Sequence, residues 1–128
     1  MNDRAALCTD ADLWAMEREF WLGGADVYEA RVAPEALLVL PDPAGTLMRS
    51  QTIEAIRQSP RWEEVEFESA HTVWPTADLV LLAYAAVGRR DRGRTTYRAR
   101  CSSMYVEKGG LWMLIFHQQT PRASHSNV

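Results

Sequence analysis

Two long runs on either side of a glycine pair constrain this chain most. "RTTYRARCSSMYVE" (94–107) and "LWMLIFHQQT" (111–120) flank Lys108-Gly109-Gly110. Both runs are rich in aromatic and aliphatic residues, and glycine accepts the backbone conformations a tight reversal needs, so the spacing predicts an antiparallel hairpin. Pairing Val106 with Leu111 across Glu107 to Gly110 sets Tyr105 opposite Trp112, Ser103 opposite Leu114, Cys101 opposite Phe116 and Ala99 opposite Gln118. Neighbours across a sheet share a face. One side then carries Tyr97, Ala99, Cys101, Ser103, Tyr105, Trp112, Leu114, Phe116 and Gln118. The other carries Arg98, Arg100, Ser102, Met104, Met113, Ile115, His117 and Gln119.

The remainder of the chain fits around this hairpin. In "DADLWAMEREFWLGG" (10–24), Leu13, Met16 and Phe20 fall on one stripe and Trp14 and Trp21 on its neighbour, which predicts a helix with a wide apolar face. Thr9 and Asp12 form a capping-box pattern before it, and Gly23-Gly24 ends it. "ADVYEARV" reads as a short second helix stopped by Pro34, "ALLVLP" as a buried strand, "DPAGTLMR" as a loop, and "QTIEAIRQS" as a helix capped by Ser50 and closed by Pro60. "EEVEFESAHTVW" alternates, with Val65, Phe67, Ser69, His71 and Val73 on one face, and "DLVLLAYAAVG" is a more continuous apolar strand. Helices early and strands late predict an α+β fold: N-terminal helices packed on a curved, mostly antiparallel sheet, in the order helix, helix, strand, helix, strands. Residues 9–121 form one domain, with flexible ends at 1–8 and 122–128.

Composition removes several function classes. A net charge of −3 offers no basic surplus for nucleic acid or an anionic membrane, and "GRRDRGR" (88–94) reads as a hairpin loop. No run reaches the roughly 20 apolar residues of a spanning helix, and the N-terminus does not have the pattern of a secretory signal. Cys8 and Cys101 make neither a metal-type pair nor a disulfide framework, which points to a reduced, cytoplasmic setting. His71, His117 and His125 lack ligand spacing, so no metal and no cofactor is expected.

The first hairpin side, apolar with a few hydroxyls and one amide, has the composition of a pocket for a small apolar molecule. Its polar tips are Tyr84, Tyr97, Ser103 and Gln118, with Trp14 and Trp62 at the mouth. The second side, with Arg100, Met104, Met113, Ile115 and His117, suits a homodimer interface.

The element order, with "LWAMEREFWLGGADVYEARVAPEALLVLP", "PRWEEVEF" and "RCSSMYVEKGGLWMLIFHQQTP", resembles the nuclear-transport-factor-2-like superfamily, more narrowly its SnoaL-like branch of small bacterial proteins of undefined function. The resemblance covers residues 9 to 121. It implies a cone-like fold whose curved sheet wraps a pocket, with dimers through the outer sheet face. Relatives include ketosteroid isomerases and polyketide cyclases, which use a pocket carboxylate as general base, sometimes with a tyrosine that polarises the substrate carbonyl, and also binding and assembly modules; fold alone does not choose among them.

Such an isomerase needs a carboxylate inside an apolar cavity. Glu66 and Glu68 fall on the more polar strand face, Asp78 and Glu107 at strand ends, and Asp26 reads as a cap, which leaves Asp42 at a strand exit as the residue to test. Ser102-Ser103 has no elbow glycines, which argues against a nucleophilic serine. No catalytic residue is assigned. The leading expectation is a small-molecule-binding protein. An isomerase, cyclase or dehydratase acting on a small apolar carbonyl compound is the first alternative, and a structural dimerisation module the second.

Overall fold

The computed structural model describes residues 8–123. The lead-in before Cys8 and the tail beyond Ala123, including His125, lie outside the described residues. Helix α1 (Asp10–Leu22) starts on the expected box: Thr9 Oγ1 accepts from Asp12 N–H at 3.2 Å, and Asp12 Oδ2 accepts from Thr9 N–H at 2.9 Å. Gly23 ends the helix in extended backbone rather than the left-handed conformation the glycine pair suggests. Its role is close approach, because a Cβ there would lie 2.5 Å from Val27 Cγ2 on helix α2 (Ala25–Arg31).

Strand β1 (Val32–Leu40) begins before Pro34 instead of after it, β2 (Gly45–Met48) occupies part of the expected loop, and α3 spans Arg49–Arg57. The cap of α3 is Met48, not Ser50: the Met48 N–H donates to Gln51 Oε1 at 2.9 Å. Strands β3 (Glu64–Thr76), β4 (Leu79–Arg90), β5 (Thr95–Lys108) and β6 (Leu111–Pro121) form the meander. The sheet runs β2-β1-β6-β5-β4-β3, antiparallel except where β1 pairs with β6 in parallel, and the three helices precede or interrupt its first strands.

Two bulges decide what faces the helices. The terminal hairpin turns on Gly109-Gly110 alone, both at positive φ, with Lys108 opposite Leu111; this two-residue shift from the expected register preserves the faces. The register then slips by one between Met104 and Tyr105, because Tyr105 pairs with Leu114 and Met104 with Phe116, leaving Ile115 as the extra residue. Beyond it every side chain of β6 changes sides. His117, expected outside, is buried opposite Ser103, while Phe116 and Gln118 move to the outer face. β3 behaves likewise. Its register shifts between Glu68 and His71, around Ser69 at φ 52°. Val65 and Phe67 keep the inner face, but Thr72 and Trp74 follow them there, and His71 and Val73 are exposed.

The resulting sheet carries two opposed rows across all six strands. Leu47, Leu38, His117, Ser103, Leu82 and Thr72 are registered neighbours on the concave face. Met48, Leu37, Phe116, Met104, Leu81 and Val73 are registered neighbours on the convex face. The main core lies between the concave face and the helices, through Leu13, Met16, Phe20, Ile53, Ile56, Val80, Tyr105 and Leu114. Among the described residues, no helix is long and apolar enough to cross a membrane.

Candidate functional site

The site begins with a charge in the wrong place. Glu17 sits four residues after Leu13 and three before Phe20, inside the apolar stripe of α1, and only 1% of its surface is exposed. A lone buried carboxylate is costly, so its oxygens need donors. Three hydroxyls from the sheet supply them. Ser103 and Tyr84 donate to Oε2, the former at 2.6 Å, and Tyr105 donates to Oε1 at 2.6 Å. Trp21 Nε1 in turn donates to the Tyr84 hydroxyl at 3.0 Å.

A second line of hydrogen bonds leads away from this carboxylate. Ser103 Oγ gives its proton to Glu17, so it accepts from His117 Nδ1, 2.6 Å away. That fixes the imidazole as the neutral Nδ1–H tautomer, whose Nε2 accepts from Gln119 Nε2 at 3.1 Å. Gln119 Oε1 accepts from the Tyr97 hydroxyl at 2.9 Å. Burial holds His117 below the ordinary imidazole range and outweighs the opposing pull of Glu17, 3.5 Å from Nδ1. Burial first, then the Glu17 charge, pushes the Tyr84 and Tyr105 phenols well above 10 and the Cys101 thiol to about 12. Ser103, His117 and Glu17 do not form a nucleophilic triad, since Glu17 lies on the serine's side rather than behind the imidazole.

Above this floor is a cavity of about 350 Å³. Its apolar wall includes Phe20, Leu38, Ile56 and Leu114, and His117 and Gln119 face it from β6. At the mouth the chain between α3 and β3 brings in Arg61 and Trp62. The Arg61 guanidinium closes the end of α1, donating to the carbonyls of Gly23 and Phe20 at 2.7 Å and of Trp21 at 3.0 Å. Trp62 stacks on Tyr97 with ring centroids 5.5 Å apart, and Arg90 lies 4.3 Å over the Trp62 ring. Gly88 allows this layer: a Cβ there would come within 3.1 Å of the Trp62 ring.

Of the residues singled out by sequence, Trp62 and Tyr97 line the cavity. Tyr84 and Ser103 lie beneath it as partners of Glu17. Trp14 is packed elsewhere, against Phe67 and Tyr84, with its Nε1 donating to Thr72. Gln118 is on the convex face, donating to Ser102 Oγ at 3.0 Å; Gln119 takes the inner place because of the bulge at Ile115. Asp42 is exposed in the β1–β2 turn, outside the cavity lining. The expectation without a buried carboxylate missed Glu17, whose signal was a charged residue on an apolar helical stripe. Among the described residues, no group of three or more His, Cys, Asp or Glu could hold a metal ion.

Solved structures share this architecture. A candidate ketosteroid isomerase from Parabacteroides distasonis superposes with TM-score 0.79 at 9% identity, covering 96% of this chain and 95% of that one. An NTF2-like protein of unknown function in nutrient uptake from Rhodospirillum rubrum gives 0.75 at 16% identity, over 91% and 100% of the two chains. The CamKII hub homology domain of Chlamydamonas reinhardtii gives 0.73 at 13%, over 91% and 100%. At these identities the likeness is one of fold, and the fold is the cone-like NTF2 type. No family model matches the chain, and no curated protein matches its sequence.

Proposed function

We propose that this NTF2-like chain binds a small, largely apolar molecule in the concave cavity. The observation that carries the reading is an apolar-walled cavity of about 350 Å³ with His117 and Gln119 on its wall and a three-donor carboxylate at its floor. A few fixed polar groups in an apolar concavity are what orient a ligand that burial holds. Leu114→Trp places a large ring in the cavity. Apolar probes that raise the melting temperature of the wild type should leave this folded variant unmoved; equal stabilisation of both overturns the reading.

A second reading, acid–base catalysis on a small carbonyl compound, is favoured by Glu17 itself. After Tyr84, Ser103 and Tyr105 have donated, Glu17 keeps one Oε1 lone pair, a place for a proton drawn from a substrate. The same bonds count against it, because three hydrogen bonds already occupy most of the oxygen sites that an incoming proton would need. Turnover lost in Glu17→Gln, with probe binding retained, would establish it.

We further infer a homodimer through the convex face, in a cytoplasmic setting consistent with the free thiols of Cys8 and Cys101. The row from Met48 to Val73 leaves Met48 59%, Leu37 44% and Val73 56% exposed. Arg100 and Glu68 flank it on one face, joined in register through Ala85, so a twofold-related copy could pair them. Phe116→Asp and Met104→Asp should sediment as monomers; unchanged dimers place the interface elsewhere.

A further inference from the structure

We infer that the ligand is a small organic monoanion, an apolar body bearing one carboxylate, with its acid group seated on Arg90. This rests on the cavity being a binding site and names what it binds. Three charged side chains line the cavity: Glu17, Arg61 and Arg90. Glu17 is committed to its three hydroxyl donors, and Arg61 to the carbonyls at the end of α1, where the backbone dipoles already offset its charge.

Arg90 differs from both. Its guanidinium makes no hydrogen bond among the described residues, and its nearest carboxylate oxygen, Asp91 Oδ2, is 4.0 Å from Nε. Only 27% of its side chain is exposed, yet none of its guanidinium nitrogens is sealed from solvent, so the fork is open to an incoming acceptor. Its Cζ lies 4.3 Å from the centroid of the Trp62 ring, a cation–π contact that holds the guanidinium at the mouth without using an N–H donor on a protein acceptor.

A planar guanidinium with free edges matches a carboxylate bidentately, by two parallel charge-assisted bonds. One free fork fits one acid group. A dianion would leave a charge without a partner, and Glu17 at the opposite end of the cavity repels a second negative group. Between the two ends lie Phe20, Leu38, Ile56 and Leu114, which want an aliphatic or aromatic body.

The test titrates the full chain with butyrate, hexanoate, octanoate and 4-phenylbutyrate, each beside its uncharged amide, by calorimetry at pH 7.5 and low salt. At least one acid should bind ten-fold or more tighter than its amide. Arg90→Gln should abolish that preference, Arg90→Lys should keep part of it, and Arg94→Gln in the exposed β4–β5 turn should keep all of it. Melting curves confirm that each variant is folded. Acids and amides binding alike would overturn the monoanion and leave the cavity reading standing. A preference that survives Arg90→Gln would overturn Arg90 as the seat. No binding of any acid or amide, together with no probe that distinguishes wild type from Leu114→Trp, would remove the cavity reading as well.

Discussion

The two ends of the cavity are built in opposite ways. At the floor, one carboxylate takes donors from β4 and β5, and Ser103 passes the network on to β6, so Glu17 joins α1 to the middle of the sheet. At the mouth, Arg90 is held by an aromatic face and hydrogen-bonds to nothing among the described residues. A saturated floor is a rigid reference; an unsaturated mouth has capacity left for something else. The comparison teaches where stability and where recognition reside, and it can be broken.

The largest effect is expected at the floor. Glu17→Ala leaves three buried hydroxyls without their acceptor, and urea unfolding should show a loss of about 3–5 kcal/mol. A loss below about 1 kcal/mol would mean the floor is no anchor.

Alkali should sharpen the contrast next. All four tyrosines have raised phenols, Tyr84 and Tyr105 well above 10 and Tyr28 and Tyr97 to about 12. The folded chain therefore keeps protons that the unfolded chain loses, so stability is whole below about pH 10 and falls as pH rises beyond it. Absorbance at 295 nm should show no phenolate forming near pH 10 in the folded protein, and formation together with loss of structure above that. A phenolate appearing at pH 10 with the fold intact contradicts the burial described for at least one ring.

A smaller change is expected in acid from the single imidazole between the two ends. His117 is held below its ordinary value, so the unfolded chain binds its proton first. Its contribution is whole above about pH 6.5 and is lost as pH falls below that toward the lowered folded value. Between pH 7.5 and pH 5.5 the wild type should lose more unfolding free energy than His117→Asn. Equal losses would place the proton elsewhere.

The least effect belongs to the mouth. Tyr97→Phe removes only the bond to Gln119 on a half-buried ring and should cost about 0.5–1.5 kcal/mol in the same urea experiment. A cost matching that of Glu17→Ala would erase the distinction between the ends.

How much of this was legible in the sequence depends on whether a feature is local. The Thr9–Asp12 cap and the stripe of α1 are written within a few residues, and both helix and cap stand where periodicity puts them. The hairpin is as local, and its glycines fix the turn even though the register they imply is two residues tighter than a four-residue connection. The bulges are not local. Ile115 and Ser69 look like any other strand residue, and nothing nearby says that the partner strand skips one. Alternation counted straight through them therefore sends His117 outward and Gln118 inward, and places His71 inside when it is exposed. Glu17 was readable, since a charge on a buried stripe announces a partner, but which partner depends on strands some 67 to 88 residues later. β2 and the early start of β1 were masked by Pro34, Pro41 and Pro43, residues that usually end strands rather than accompany them.

The extra residue in β6 works like a shift of reading frame. Upstream of Ile115 the strand spells one face and downstream the other, so drawing that residue into a regular ladder, with the bulge lost and every residue kept, would put everything after it back in the first phase. Phe116 and Gln118 would then face the helices, and His117 and Gln119 would face solvent or a neighbouring molecule. The link from Tyr97 to Glu17 would be cut at two points without any of its side chains being replaced. Among chains of this shape, a bulge in the last strand thus determines what the cavity displays as firmly as composition does, and loss of the bulge with every residue kept would exchange interior chemistry for exterior chemistry wholesale.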